Sequence, residues 1–285
     1  MNTIKSFAVI GGDKRQLYCA RAAADDGYAV NISGFEKCED TPELHFSDID
    51  SAIENSDAVI LPLPVSKDGK TLFAPFSAHG ISIEKLFSKI EASKPVFCGL
   101  KGKTPDSYFA EKKCFFYGCR EDFAAANAVP TAEGAIAIAM ENSDITINGS
   151  SCLVTGYGRI GRVLSLYLKG LGANVTVSAR QDKDLELIKA AGMKAVRTNR
   201  ISGHFDFIFN TVPALVFDRK TLAASAGNAV IIDLASLPGG IDKETADNMS
   251  IPVFHALSLP GKVAPKTAGI IIKNAICNII GEDEI

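Results

Sequence analysis

The stretch Cys152-Leu-Val-Thr-Gly-Tyr-Gly-Arg-Ile-Gly-Arg162 decides the fold. Four strand-forming residues run into Gly156-Tyr-Gly-Arg-Ile-Gly161, and a helical pattern from Arg162 to Gly170 follows. In that setting the G-x-G-x-x-G spacing has a physical meaning. The first glycine permits a tight turn, the second lets the backbone approach a pyrophosphate, and the third allows close helix–strand packing. Free N–H groups at the helix start then meet the anion at the favourable end of the macrodipole. Gly156, Gly158, Arg159, Ile160 and Gly161 are therefore candidate dinucleotide contacts. The alternative is a Gly-rich turn that binds nothing; the strand, helix and next strand around it count against that.

Working outward, Asn174-Val-Thr-Val-Ser178 is the next strand, and Leu185 to Ala191 a helix closed by Gly192. Phe205–Phe209, Ala229–Asp233 and Pro252–Ala256 supply later strands. An NAD site usually has Asp or Glu at the end of its second strand, whereas an NADP site favours Arg. Here the chain reads Val177-Ser-Ala-Arg180, with no acid before Asp182. Ser178 and Arg180 can meet a 2′-phosphate, so NADP is the expected cofactor. Asn210, Thr211, Val212 and Pro213 follow the fourth strand, and Asp233, Ala235 and Ser236 the fifth. Ligands in open α/β sheets gather at such strand ends, which makes these residues candidates for the nicotinamide side.

The first half repeats the alternation of strand and helix, from Phe7–Ile10 and Lys14–Asp26 onward. Its strand-end cluster Gly11-Gly-Asp-Lys-Arg-Gln16 lacks the fingerprint spacing, so a second cofactor is not expected there. Asp13, Arg15 and Gln16 instead suggest an anion site at a helix N-terminus facing a cleft between lobes. Ser66 and Lys101 lie at two further strand ends, and Lys262 and Lys266 in a Pro/Gly-rich loop before the last helix. Together they are candidates for binding a dianionic substrate. His255 precedes that loop and is the candidate catalytic residue for proton exchange. No histidine and carboxylate stand at a motif-like spacing, so any general base is otherwise unassigned.

The Ala-rich stretch from Glu121 to Ser143 reads as a helical hinge, broken at Val129-Pro130 by the proline ring. The expected fold is α/β: two Rossmann-like, doubly wound parallel-sheet domains with the C-terminal helix packing back. The boundaries read as 1–125, a linker at 126–148, a cofactor domain at 149–262, and a C-terminal helix at 263–285. The 285 residues suit about two domains.

Thirty basic and 33 acidic residues give a net charge of −3, which argues against a nucleic-acid binder. Apolar stretches such as Asp57–Pro64 are too short to cross a bilayer, and the N-terminus lacks a signal-peptide core. Seven scattered cysteines read as reduced thiols, and four dispersed histidines offer no metal spacing. A cytoplasmic, metal-free chain is expected.

Several segments together carry a resemblance over essentially the whole chain. They are Val9–Asp13 with Arg15-Gln16, Ala58–Pro64, Gly156–Gly161, Asn210–Pro213, Asp233–Ser236 with Gly239-Gly240, and Leu259–Gly269. The chain resembles the A subunit of bacterial dipicolinate synthase, with Leu259–Gly269 the most specific part. That resemblance implies a spore-formation oxidoreductase acting with a flavoprotein-like B subunit. It would use NADP to oxidise a dihydrodipicolinate-type intermediate, made from the lysine-pathway aldol product, to pyridine-2,6-dicarboxylate. The second half also looks like the cofactor domain of alanine dehydrogenases and 2-hydroxyacid dehydrogenases. An amino- or hydroxy-acid dehydrogenase and a non-catalytic NADP-binding subunit therefore stay open as alternatives, and so does a homo-oligomer.

Overall fold

Short, fully buried apolar runs cannot form a sheet open to water; they need helices on both faces. The computed structural model describes residues 4–39 and 44–282, and meets that need twice. The chain divides into two compact units, Met1–Asn127 with Ala264–Ile285, and Ala128–Val263. The first contains β1 (Ser6–Ile10), α1 (Lys14–Asp25), β2 (Ala29–Ser33), β3 (His45–Phe46), α2 (Ile49–Glu54) and β4 (Ala58–Ile60). It continues with α3 (Ile83–Lys89), β5 (Val96–Cys98), α4 (Ser107–Ala110) and β6 (Cys114–Phe116). Helix α5 (Glu121–Glu141) passes from one unit to the other. The second unit contains β7 (Ser151–Thr155), α6 (Arg159–Gly170), β8 (Asn174–Ala179), α7 (Asp182–Ala190), β9 (Lys194–Arg197) and β10 (Phe207–Asn210). It ends with α8 (Arg219–Ser225), β11 (Val230–Asp233), α9 (Lys243–Asn248), β12 (Val253–His255) and α10 (Leu259–Val263). The last helix, α11 (Pro265–Glu282), belongs to the first unit.

Both sheets are parallel and six-stranded, ordered β3-β2-β1-β4-β5-β6 and β12-β11-β10-β7-β8-β9. Counted within each unit, both follow the doubly wound order 3-2-1-4-5-6. In the first unit Phe7, Val9 and Ile32 face the core beneath α1 and α11, while Ala8, Ile10 and Val59 face the other layer. In the second, Val154, Val177 and Phe209 pack with Leu164 and Leu168 of α6, and Leu153, Ile208 and Ile231 with Leu222 of α8. Helices α1 and α11 approach closely at Gly269, where a Cβ would stand 2.6 Å from the Arg15 carbonyl oxygen.

Three expectations need correction. Pro130 does not break the hinge helix; α5 is continuous through it. The carbonyl that the ring leaves unpaired is four residues back at Ala126, an exposed residue that water can serve. Of the helical linker expected at 126–148, the part from Ala128 belongs to the second unit, with Ala132, Ala135, Ile136 and Ala139 in its core. Apolar stretches are also not all short: among the described residues α5 is one helix long and apolar enough to span a bilayer. Its inner face is nonetheless occupied by that core.

Candidate functional site

The fingerprint turn begins where β7 and β8 stop pairing. Gly156 N–H donates to the Ser178 carbonyl at 2.9 Å, and Gly156 takes φ +89°, a left-handed value suited to glycine. A Cβ there would lie 2.6 Å from Thr211 Oγ1. At Gly161 a Cβ would overlap the Gly156 carbonyl oxygen, so the first turn of α6 can seat against the strand only without a side chain. Gly158 differs. It is the N-cap of α6, is exposed, makes no side-chain cap, and a Cβ there would meet nothing within 4 Å. Two glycines thus serve packing, and the third leaves room in front of uncapped helix amides. That cradle fits a pyrophosphate.

The equivalent turn of the first unit begins identically and ends differently. Gly11 N–H donates to the Ser33 carbonyl at 2.9 Å, matching Gly156 on Ser178. Gly12 N–H is then taken by the Phe73 carbonyl at 2.8 Å. Asp13 stands at the N-cap position that Gly158 occupies in the second unit, and its carboxylate accepts from Arg15 N–H. Gln16 Oε1 returns to Asp13 N–H and completes a capping box. The expected anion site at this helix N-terminus is therefore filled by the chain's own oxygens.

Beside the Gly156–Gly161 turn lies a cavity of about 980 Å³ within the second unit. Arg180, Thr211, Val212 and Pro213 line it. Tyr157, a variable position of the fingerprint, lines it too, as do Arg162, Lys183, Arg197 and Lys220, which carry no motif by which sequence could have singled them out. Arg162 stacks over the Tyr157 ring, with 5.1 Å to the centroid, and lies 3.7 Å from Asp184. Arg197 pairs with Asp182, the acid nearest the end of β8. The Arg180 and Lys183 side chains have no hydrogen-bond or ion-pair partner among the described residues, so both charges face the cavity unneutralised. Ser178 does not join them. Register sets it between Thr155 and Val196 inside the sheet, and its buried hydroxyl lacks a partner.

Asn210 and Asp233 are buried and fully engaged within the protein. Asn210 Oδ1 accepts from Thr155 Oγ1 (2.5 Å) and Val212 N–H (3.2 Å). Its Nδ2 donates to the Val212 carbonyl (3.1 Å) and to Asp233 Oδ1 (2.8 Å). Asp233 also accepts from Ala235 N–H (3.2 Å) and Gly240 N–H (3.1 Å). Asn210 has all four of its hydrogen-bond positions taken inside the protein, and the Asp233 carboxylate is fully buried. Thr211 Oγ1 donates to the Thr155 carbonyl at 2.7 Å while still lining the cavity. Of the remaining candidates, Arg159 and Ser236 are exposed, Ile160 packs on the core, and Ala235 is buried.

His255 has the carboxylate partner that no sequence spacing revealed. It is the register partner of Asp233 across β11 and β12, with Nδ1 3.7 Å from Oδ2 and a side chain 31% exposed. Parallel pairing joins residues 22 positions apart, and that register is the signal by which the pair could have been found.

On the first unit, Arg15 is held by Asp13 through Nε (2.9 Å) and Nη2 (2.9 Å), and donates through Nη2 to the Leu63 carbonyl (2.7 Å). Its Nη1 keeps two N–H groups without a protein acceptor among the described residues. Gln16 is buried and donates to the Tyr117 hydroxyl, whose ionisation burial disfavours strongly. Ser66 is buried too, bonded to Asp68 and the Thr71 carbonyl, so its expected substrate contact is closed off. Lys101 pairs with Asp106 at 2.6 Å. Lys262 and Lys266 are exposed and unpaired among the described residues, but Lys262 lies in α10 and Lys266 in the first turn of α11 rather than in the expected loop. Among the described residues no group of His, Cys, Asp and Glu assembles a metal site.

A doubly wound unit with an open glycine cradle and a cationic cavity defines a dehydrogenase-type, nicotinamide-dinucleotide-binding domain. Residues 127–237 match the NAD binding domain of D-isomer specific 2-hydroxyacid dehydrogenases, and residues 6–117 the N-terminal domain of the dipicolinate synthase A subunit. The A subunit of dipicolinate synthase from Bacillus subtilis (strain 168) is 31% identical, over 99% of this chain and 98% of its own. The chain belongs to the family of dipicolinate synthase A subunits. Its fold superposes on the crystal structure of the Bacillus subtilis A subunit with a TM-score of 0.87, at 30% identity, covering 100% of this chain and 98% of that one. For the Bacillus halodurans protein the TM-score is 0.86, at 30% identity and 97% coverage of both chains. A transhydrogenase from Sinorhizobium meliloti, 13% identical, shares the fold at a TM-score of 0.68, covering 96% of this chain and 92% of that one.

Proposed function

We propose that this protein is the NADP-dependent dehydrogenase subunit that forms dipicolinate from a dihydrodipicolinate-type precursor. The observation that carries the proposal is the open cradle at Gly158, set in a chain whose whole length matches dipicolinate synthase A subunits. Unpaired Arg180 and Lys183 on the cavity wall favour the 2′-phosphate of NADP, and Asp182, the acid that could disfavour it, is engaged by Arg197.

The bound nicotinamide supplies the hydride acceptor; the protein's own residues do the rest. Gly156, Gly158 and the first amides of α6 hold the pyrophosphate, while Thr211, Val212 and Pro213 wall the nucleotide. Arg15 Nη1, Lys262 and Lys266 are the candidate cations for the substrate carboxylates. Arg15 is presented by Asp13 and Leu63, so little side-chain freedom is lost on binding. Oxidation of the ring releases one hydride and one proton, and His255 is the candidate acceptor of the proton. Aromatisation stabilises the product, so orientation and charge neutralisation are the main demands on the protein.

The name of the relatives implies a second subunit, and we extend that to this chain: a flavoprotein-like partner works with it in the cytoplasm. Thermal-shift titration tests the cofactor and product together, because a ligand specific for the folded state raises the melting temperature. NADP should stabilise the chain more than NAD, and dipicolinate should add to it. Equal responses to both nucleotides contradict the role given to Arg180.

A further inference from the structure

Asp233 ends β11 as a fully buried carboxylate whose hydrogen-bond partners are all donors: Asn210 Nδ2, Ala235 N–H and Gly240 N–H. An oxygen pair served only by donors is the acceptor-only, ionised form. Among the described residues no lysine or arginine lies within ion-pair reach of it; His255, at 3.7 Å, is the one cationisable group that does. Burying a charge without a counter-charge is costly. Four strand ends nevertheless hold this one in place.

Thr155, Asn210, Asp233 and His255 are successive register partners across β7, β10, β11 and β12. Thr155 Oγ1 fixes Asn210, and Asn210 fixes Asp233, so the carboxylate cannot turn away. A Cβ at Gly239 would stand 2.6 Å from Asp233 Oδ2, which keeps that loop glycine close against the anion. The row runs along the carboxyl edge of the sheet from the residue before the fingerprint turn. Ligands of open parallel sheets collect at that edge.

We propose that Asp233 selects the redox state of the bound nucleotide: its fixed negative charge favours the oxidised, cationic nicotinamide over the reduced, neutral one. The inference rests on the dinucleotide reading above and gives it a direction. The carboxylate touches protein alone and acts through its field, which is strong where water is excluded. Oxidation of the dihydro ring sends two electrons with one hydrogen, as hydride, to the nicotinamide. The other hydrogen leaves as a proton for the His255 imidazole. With the nicotinamide at this sheet edge, Asp233 would be near one positive charge before the step and one after it, on the nicotinamide first and on the imidazolium second.

Calorimetric titration of the full-length chain with NADP+ and with NADPH reads the effect without turnover. In D233N the affinity for NADP+ falls about tenfold while that for NADPH changes less than twofold. H255K, a substitution at a partly exposed side chain that leaves Thr155, Asn210 and Asp233 in place, sets a permanent cation beside the carboxylate and shifts the ratio the same way. It carries the test should D233N melt early. Equal weakening of both forms, or no change in either, in a folded variant overturns the inference while leaving the dinucleotide site standing. A wild-type chain that binds neither form overturns both.

Discussion

Gly158 and Gly161 make opposite demands on a methyl group. At Gly161 a Cβ runs into the Gly156 carbonyl, and backbone against backbone cannot yield cheaply. Gly161→Ala should therefore cost about 1–3 kcal/mol of stability in the absence of any ligand, read as a lower urea midpoint. At Gly158 the same methyl enters open space at ordinary φ −80°, so the unliganded melting curve should barely move. Nucleotide affinity should drop instead, because the methyl takes room the pyrophosphate needs. A Gly158→Ala protein that binds NADP as tightly as the wild type would contradict the cradle. At the β8 end, Arg180→Ala should erase the preference for NADP over NAD and leave NAD binding nearly unchanged, which paired titrations with the two nucleotides check.

Helix α11 joins the first unit through packing at one end and charge at the other. Gly269 lets it approach the α1 backbone, and Gly269→Ala should destabilise the fold by about 1–3 kcal/mol in thermal melts. Near its far end Arg120 pairs with Asp122 and Glu282, and Asn278 donates to Asp122. The guanidinium holds the Asp122 carboxyl well below the usual carboxylate range and lowers that of Glu282 as well. A carboxyl depressed on folding contributes stability that is present above its unfolded value, about 4, and lost as pH falls through the folded value. Asp122→Asn should thus narrow the difference in urea midpoint between pH 7 and pH 3. An undiminished difference would show that the cluster is solvated surface. Element by element, the central strands and their helices were legible in the sequence because both faces of each strand are buried. The edge strands β3 and β9 were not: β3 has two residues, and β9 is Ala195 and Val196 between Lys194 and Arg197, too little apolar pattern to read. Pro130 misled because exposure of Ala126, a tertiary fact, decides whether a proline is tolerated.

At the scale of the molecule the sequence contains one architecture twice, with the two first turns put to different uses. One is closed by Asp13, Gln16 and the Phe73 carbonyl; the other is open at Gly158. The open turn was legible because glycine spacing is a local signal. The Asp233–His255 pair, the buried Ser178 and the closed positions of Gln16 and Ser66 were not, because register and burial are set by residues far off in sequence. Amide hydrogen exchange of the full-length chain, with and without saturating NADP, compares the two turns directly. Protection should appear over residues 156–162 and 179–183 while residues 11–17 stay unchanged. Unaltered exchange at 156–162, or equal protection at both turns, would contradict a single nucleotide site in the second unit.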